Sequence, residues 1–395
     1  MAAIWAGIDA GKAHHHCVAI DESGRRLLSR RVANDEPELL ELLADVQAGG
    51  RSDLGYRPGR RRGLPGHHAP GQPRPAAPLH LRPGIHRASE SYHGEGKTDA
   101  KDAAVIADQV RVRRDLYPLR TGDDTVIDLK ILTGRRMDLV ADRTRTVNRL
   151  RAQLTGIFLG VEQALDLTNT GPLTLITGYQ TPAAVRRIGV KRLETWLRNR
   201  HVLRPDRLAE TAVQAAERQQ TSLPGEKLAA TLVHTLAKEV MSLNQQVAEL
   251  DKAIEARFRD HRTFEVITSM PGLGVILGAE FLAATGGDMT AFGTADRLAG
   301  FGGVAPVPRD SGKLSGNLRR PQRYNRRFQR VFYTSALFSI RHCDESRRFY
   351  DRKRAEGKRH TQAVLALARR RVNVLWALLR DGRCYEPAPP ARAAA

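Results

Sequence analysis

The alternation of apolar and polar residues divides the chain into contrasting stretches. Ile4-Trp-Ala-Gly-Ile-Asp9 reads as a short buried strand ending in a carboxylate. The turn Ala10-Gly-Lys12 leads to a second strand at His16–Asp21. Glu22-Ser-Gly-Arg25 then makes a hairpin turn into a third strand at Leu27–Val32. Glu36–Gln47 carries Leu39, Leu40, Leu42 and Leu43, enough for one buried helix face. An Ala-rich helical run starts at Asp99. Gly122–Leu167 predicts a long helical region in which Leu129, Leu132, Val140, Val147, Leu150, Leu154 and Phe158 form a partial apolar stripe. Residues 168–224 read as short helices punctuated by Pro and Gly. Between Leu232 and Phe258, Leu236, Val240, Leu243, Val247, Leu250 and Ile254 alternate by four and three, the seam of a coiled coil. Such a seam packs on the 122–167 helix or on a second chain; we expect it to join protomers over at least part of its length. Thr361–Asp381 is a basic amphipathic helix, and Glu386–Ala395 reads as a disordered tail.

One stretch breaks the pattern. Between Arg51 and Glu90 lie seven prolines, six glycines, eight arginines and a single β-branched residue, Ile85. That composition predicts an irregular segment over 51–85, lodged between an acid-bearing strand and an acid-bearing helix. A linker is one explanation, although linkers rarely interrupt a domain between two acid-bearing elements; a one-base slip in the reading frame is another. If Asp53–Gly59 is encoded GAC CTG GGC TAT CGA CCT GGG, reading one base later gives Thr-Trp-Ala-Ile-Asp-Leu, a strand that ends in an acid. The aspartate falls on codon 57 when Arg57 is CGA. The chain as written is then expected to be catalytically dead or nearly so.

Charge narrows the function further. With 395 residues the chain is long enough for two or three domains. A net charge of +21 favours a polyanion as partner, and nucleic acid fits it best. No run approaches the roughly 18 apolar residues of a membrane span. No charged stretch with an apolar core opens the chain, so a cytoplasmic, nucleoid-associated location is expected. Cys17, Cys343 and Cys384 are too scattered for a disulfide framework or a zinc site.

Asp99 and Asp102 sit three apart at a helix start, so both carboxylates leave one helix face. Acids there also complement the helix dipole, which by itself needs no chemistry. Together with Asp9 they can meet around Mg²⁺, an ion held by oxygen ligands. His14, His15 and His16 alternate across a strand and cannot converge on one ion, so structural or phosphate-facing roles are expected for them. Pro271-Gly-Leu-Gly274 before an apolar helix looks like a helix-hairpin-helix turn, with Gly272 and Gly274 bringing backbone N–H groups near a phosphate. The Gly/Pro loop of residues 298–316 offers Ser311 and Ser315. Arg319, Arg320, Arg323, Arg326, Arg327 and Arg330 follow, with Tyr324, Phe328 and Phe332 interleaved. Serine among glycines is ordinarily a turn residue. Facing arginines that hold a phosphodiester, it becomes a candidate nucleophile.

Gly-Ile-Asp-Ala-Gly-Lys at 7–12, Gly-Glu-Gly-Lys-Thr-Asp-Ala-Lys-Asp-Ala at 94–103, Met-Pro-Gly-Leu-Gly at 270–274 and Pro-Arg-Asp-Ser-Gly-Lys at 308–313 together resemble the DEDD transposases of the insertion-sequence one-ten family. The resemblance implies an α/β RNase-H-like (RuvC-like) domain over 1–120, interrupted at 51–85. It implies mostly α-helical structure beyond, with a helical and coiled-coil region over 121–262 and a helical C-terminal transposase domain over 263–385. It implies Mg²⁺ on Asp9, Asp99 and Asp102, and a nucleophile at Ser311. Lys97, Lys101, Arg309, Lys313, Arg319, Arg320 and Arg323 become the expected nucleic-acid contacts. The partners implied are donor and target DNA and a structured bridging RNA, with the protein a homodimer or tetramer. The family's second acid lies on a strand that this sequence lacks. Two other functions stay open: a metal-dependent RuvC-like junction or RNA nuclease that uses water, and a non-catalytic nucleic-acid-binding remnant. The basic excess predicts RNA and DNA affinity that falls steeply with salt, because each neutralised phosphate releases counterion. Equal retention at low and high salt in a filter-binding titration contradicts it.

Overall fold

The computed structural model describes residues 3–48, 51–57, 79–80, 92, 98–113, 123–312 and 315–387. The chain forms two compact units, Met1–Gly122 and Asp123–Ala395. The first holds a small sheet and the second is helical apart from one short hairpin.

In the first unit the strands are β1 (Ala3–Ala10), β2 (His14–Ile20), β3 (Arg26–Ala33), β4 (Arg51–Arg57) and β5 (Leu79–His80). They lie in the order β3-β2-β1-β4-β5. β1 runs antiparallel to β2 and parallel to β4. Side chains alternate across such a sheet, and the sequence obeys the alternation. Ile4, Ala6 and Ile8 point to one face, with Cys17, Ala19 and Val32 around them. They are buried with Leu42 and Val46 of α1 (Glu36–Ala48). Trp5, Gly7 and Asp9 point to the other face, which is covered by α2 (Asp99–Val112). Gly7 sets the distance of that helix. A Cβ there would lie 2.3 Å from the Ala103 carbonyl oxygen and 2.4 Å from the Ala107 nitrogen, so strand and helix touch backbone to backbone.

The expectation of an irregular 51–85 is wrong at both ends of that segment. Arg51–Arg57 is a parallel partner of β1 over seven paired positions, and Leu79–His80 adds a short strand beyond it. Local composition argued against a strand, but the open edge of β1 supplies a row of backbone donors and acceptors that a chain without ideal strand residues still satisfies. The register pairs Trp5 with Asp53 and Asp9 with Arg57. Position 53 therefore lies about 13 Å back along the strand from the position opposite Asp9. Residues 58–78 and 81–85 lie outside the described residues.

In the second unit α3 (Asp124–Ile157) and α8 (Glu226–Arg259), each of 34 residues, lie against each other. The pairs Asp128–Arg257, Arg136–Asp251 and Thr146–Glu239 show that they run antiparallel. Part of the four–three seam is covered within the chain: Val240, Leu243 and Ile254 are buried, while Leu236, Val247 and Leu250 stay half-buried. The short helices α4 (Leu159–Ala164), α5 (Thr170–Gly178), α6 (Pro182–Arg198) and α7 (Pro205–Glu217) share a core with the α3–α8 pair around Leu150, Leu173, Leu193 and Val240. A second core joins α9 (Phe264–Thr268), α10 (Val275–Thr285), α11 (Ala295–Phe301), α12 (Arg326–His342) and α14 (His360–Asp381), with α13 (Asp344–Ala355) between the last two. The expected tail falls outside the described residues from 388 onward.

Gly7→Ala should destabilise the protein by about 3 kcal/mol, the upper end of overpacking costs, because the obstructing atoms are backbone. An unchanged urea midpoint contradicts that packing.

Candidate functional site

Two groups of the expected residues occupy the two units, one acidic and one basic. In the first unit Asp9 follows Gly7 on the α2-covered face and pairs across the sheet with His16. The α2 helix begins beside them. Thr98 caps it by accepting a hydrogen bond from the Lys101 N–H at 3.2 Å, which leaves Asp99 exposed in the first turn and Asp102 buried at 8% exposure. His16 reports on both acids. Burial is the main influence and lowers its pKa, against the pull of Asp99 and then of Asp9, with Arg26 and Arg31 adding to the lowering. Its Nε2 also lies 3.0 Å from Ser29 Oγ. The histidine run alternates as its spacing requires: His15 turns to the opposite face, 2% exposed, and bonds Asn34. The strand period gave His16 a structural or phosphate-facing role, and the β1–β2 pairing adds that its neighbour is Asp9.

The structure thus gathers Asp9, Asp99 and His16, with Asp102 one helical turn along. The carboxylates offer the hard oxygen donors that a divalent ion prefers. Among the described residues, however, no three His, Cys, Asp or Glu side chains converge closely enough to hold an ion. Asp9, Asp99 and Asp102 do not by themselves close around an ion. The strand position beside Asp9 carries Arg57, and Asp53, the acid of that strand, sits four residues away. Lys101 stands in the first turn of α2, and Lys97 lies outside the described residues.

In the second unit the serine loop is a hairpin. β6 (Val307–Pro308) and β7 (Leu318–Arg319) pair antiparallel, and the Arg309 N–H donates to the Asn317 carbonyl at 2.8 Å. Asp310 accepts from the Asn317 N–H at 3.0 Å, which closes the neck. Ser311 and Ser315 are both exposed beyond it, while Lys313 lies outside the described residues. Arg309, Arg319, Arg320 and Arg323 are exposed on the same stretch. Arg320 is held in place, donating to the Tyr324 hydroxyl at 2.9 Å and to Gln329 Oε1 at 3.1 Å. Gly302 and Gly303 let Phe328 and Tyr324 pack directly on the backbone beneath the loop. Of the interleaved aromatics, Phe328 and Phe332 are fully buried against Phe281, while Tyr324 is half-buried.

The Pro271–Gly274 turn divides. Gly272 has φ +76°, and a Cβ there would lie 2.7 Å from the Ser335 carbonyl oxygen, so the turn packs closely on α12 at this position. Arg371 fixes the turn from below, donating to the Pro271 carbonyl and, at 2.8 Å, to Ser335 Oγ. Burial lowers the Arg371 pKa to about 10, which leaves it charged at neutral pH. Gly274 is exposed at the start of α10 and open on its Cβ side. Farther along α10, Glu280 is 2% exposed and forms an ion pair with Arg330 of α12. The guanidinium reaches it from an exposed position and supplies the opposite charge to an otherwise enclosed carboxylate.

Sequence comparison gives these two groups a common origin. Residues 6–159 match the DEDD transposase model and residues 264–351 the model of the transposase IS116/IS110/IS902 family. The uncharacterized 42 kDa protein of insertion element IS900 from Mycobacterium paratuberculosis is 54% identical over 99% of both chains. The chain belongs to this family of insertion-element transposases. The uncharacterized 44.8 kDa protein of insertion element IS116 from Streptomyces clavuligerus is 47% identical over 98% of this chain and 97% of that one. The mini-circle putative transposase for IS117 from Streptomyces coelicolor is 25% identical over 93% of this chain and 91% of that one.

As an insertion-element transposase the protein is classed with enzymes that act on DNA, and its DEDD label suggests use of a divalent metal. Asp9, Asp99 and Asp102 fall in the first matched segment, and Gly274, Ser311 and the exposed arginines in the second. No described helix is long and apolar enough to cross a membrane. Arg330→Ala should cost about 3 kcal/mol, because it strands a buried carboxylate. Adding Glu280→Gln should recover most of the loss. Equal melting temperatures for Arg330→Ala and the parent chain contradict the pairing.

Proposed function

We propose that the chain descends from a recombinase that cleaves and exchanges DNA strands with Ser311 as nucleophile. The hairpin that displays Ser311 among Arg309, Arg319, Arg320 and Arg323 is the observation that carries it. Guanidiniums binding phosphate oxygens withdraw charge from phosphorus and orient the diester toward the hydroxyl. The Ser311 O–P bond forms as the bond to one deoxyribose oxygen breaks, and the hydroxyl's proton ends on that leaving oxygen. The first unit is RNase-H-like in this proposal, its β1–β4 pairing and the α2 helix on β1 being consistent with that class. The divisions at 1–120, 121–262 and 263–385 belong to the same proposal. Partners are donor and target DNA and a structured bridging RNA. Protomers assemble as dimers or tetramers, and the protein works in the cytoplasm on the nucleoid.

This chain is a damaged member. In the β1–β4 register Asp9 stands opposite position 57, which becomes aspartate on reading one base later if Arg57 is encoded CGA. The sequence has arginine, not an acid, at that register position. A RuvC-like nuclease using water, or a binding remnant, would share the acidic face but have no use for an exposed serine. In a frame-repaired chain, Ser311→Ala should abolish the covalent DNA adduct and strand exchange while leaving binding intact, with Ser315→Ala milder. An undiminished adduct in the Ser311→Ala chain moves the nucleophile elsewhere. Strand exchange by the unrepaired chain at the repaired rate sinks the damage assignment.

A further inference from the structure

Between the two matched segments, the α6–α7 corner has features that core packing does not explain. Residues 199–204 join the helices, and two of them that are not glycine adopt left-handed backbone, His201 at φ 56° and Arg204 at φ 52°. β-Carbon-bearing residues avoid that region unless the surroundings enforce it. Here they do. The Val202 N–H donates to the Leu197 carbonyl at 3.2 Å and its side chain packs over Gly171. The Arg200 guanidinium lies 3.8 Å over the Trp196 ring and donates to the Trp196 carbonyl at 3.1 Å. Trp196 itself is braced edge-on by Tyr179, with Gly178 making room for its ring. Pro205 then fixes the exit into α7. The result is a rigid corner that holds Leu203 outward at 90% exposure, the highest among the exposed large apolar residues.

Leu203 is flanked by cations. Arg198, Arg200, His201, Arg204 and Arg207 are all exposed, with Asp206 as the one acid among residues 198–207; Arg198 is engaged by Glu194 and Arg200 rests on Trp196. A leucine on a rigid projection ringed by arginines has the chemistry of a wedge that enters a groove and leans on a base step while the cations hold the flanking phosphates. Loops that bind unpaired bases rely on exposed aromatic faces. None is offered here, since the loop has no Phe, Tyr or Trp and Arg200 covers Trp196. We infer that the α6–α7 corner is a second DNA-binding element, with Leu203 as its wedge and Arg200, Arg204 and Arg207 as its phosphate contacts on duplex DNA.

The inference rests on the proposed action on DNA, and the test separates the two. The full chain is titrated by anisotropy and end-to-end energy transfer with a labelled 30-base-pair duplex, and with an RNA hairpin of matching length. Arg204→Gln with Arg207→Gln should reduce the slope of log affinity against log salt by about 2 on the duplex. Leu203→Asn should leave that slope unchanged, weaken duplex binding about fivefold and reduce the bend seen by energy transfer. Each changed side chain is exposed, and melting curves check that the fold is kept. Should the double arginine variant lose stability, Arg207→Gln alone should lower the slope by about 1. Variants that bind and bend the duplex as the parent does overturn the inference while leaving the DNA-acting proposal intact. Losses confined to the RNA hairpin overturn it in favour of RNA. A parent chain with no duplex binding overturns both.

Discussion

A missing side chain governs the acidic site. Because Gly7 has no Cβ, the first turns of α2 rest on the backbone of β1, and the carboxylates at the helix start come down beside the strand end that bears Asp9. Every other contact on that face follows from this approach. Trp5 can slide under Val105, Ile106 and Val110, and Val18 and Ile20 can meet Ala103 and Ala107. The alanines are as necessary as the glycine, since a larger residue at either position would separate the same two elements.

The second unit handles an excess of arginine by dividing it. Arg136 and Arg257 tie the antiparallel α3–α8 pair to Asp251 and Asp128. Arg186 closes α6 onto the end of α7 by donating to the Ala216 carbonyl at 2.7 Å, and Arg371 locks the Pro271 turn to α12. These guanidiniums are already spent on acceptors inside the chain. The exposed ones on the serine hairpin and at the α6–α7 corner are what remains for phosphate. Net charge alone does not distinguish the two populations, although only the second can release counterion from a nucleic acid.

Much of the fold was legible because its period was strong. Strands at both sides of the Glu22 turn, the long helix after Gly122 and the four–three run to Ile254 all lie where apolar spacing put them. The sequence showed the seam but left its partner open, because a heptad pattern describes a face and does not name what covers it. The glycine of the Pro271 turn could be read from spacing, but the close approach of Ser335 to Gly272 could not, because it depends on where α12 packs. His16 was read with its two neighbours as structural or phosphate-facing, and becomes distinct only when β1 lies beside it.

By itself the sequence determined the elements, the basic character, the acids at positions 9, 99 and 102, and the family motifs, all of which reside in spacing and composition along the chain. Tertiary structure decided the rest. It turned Arg51–Arg57 into a strand despite its composition, because an unpaired edge of β1 rewards any backbone that can pair with it. It also set the register that places Arg57, and not Asp53, opposite Asp9. That choice arises from hydrogen bonds between strands more than forty residues apart in sequence, and no local pattern encodes it.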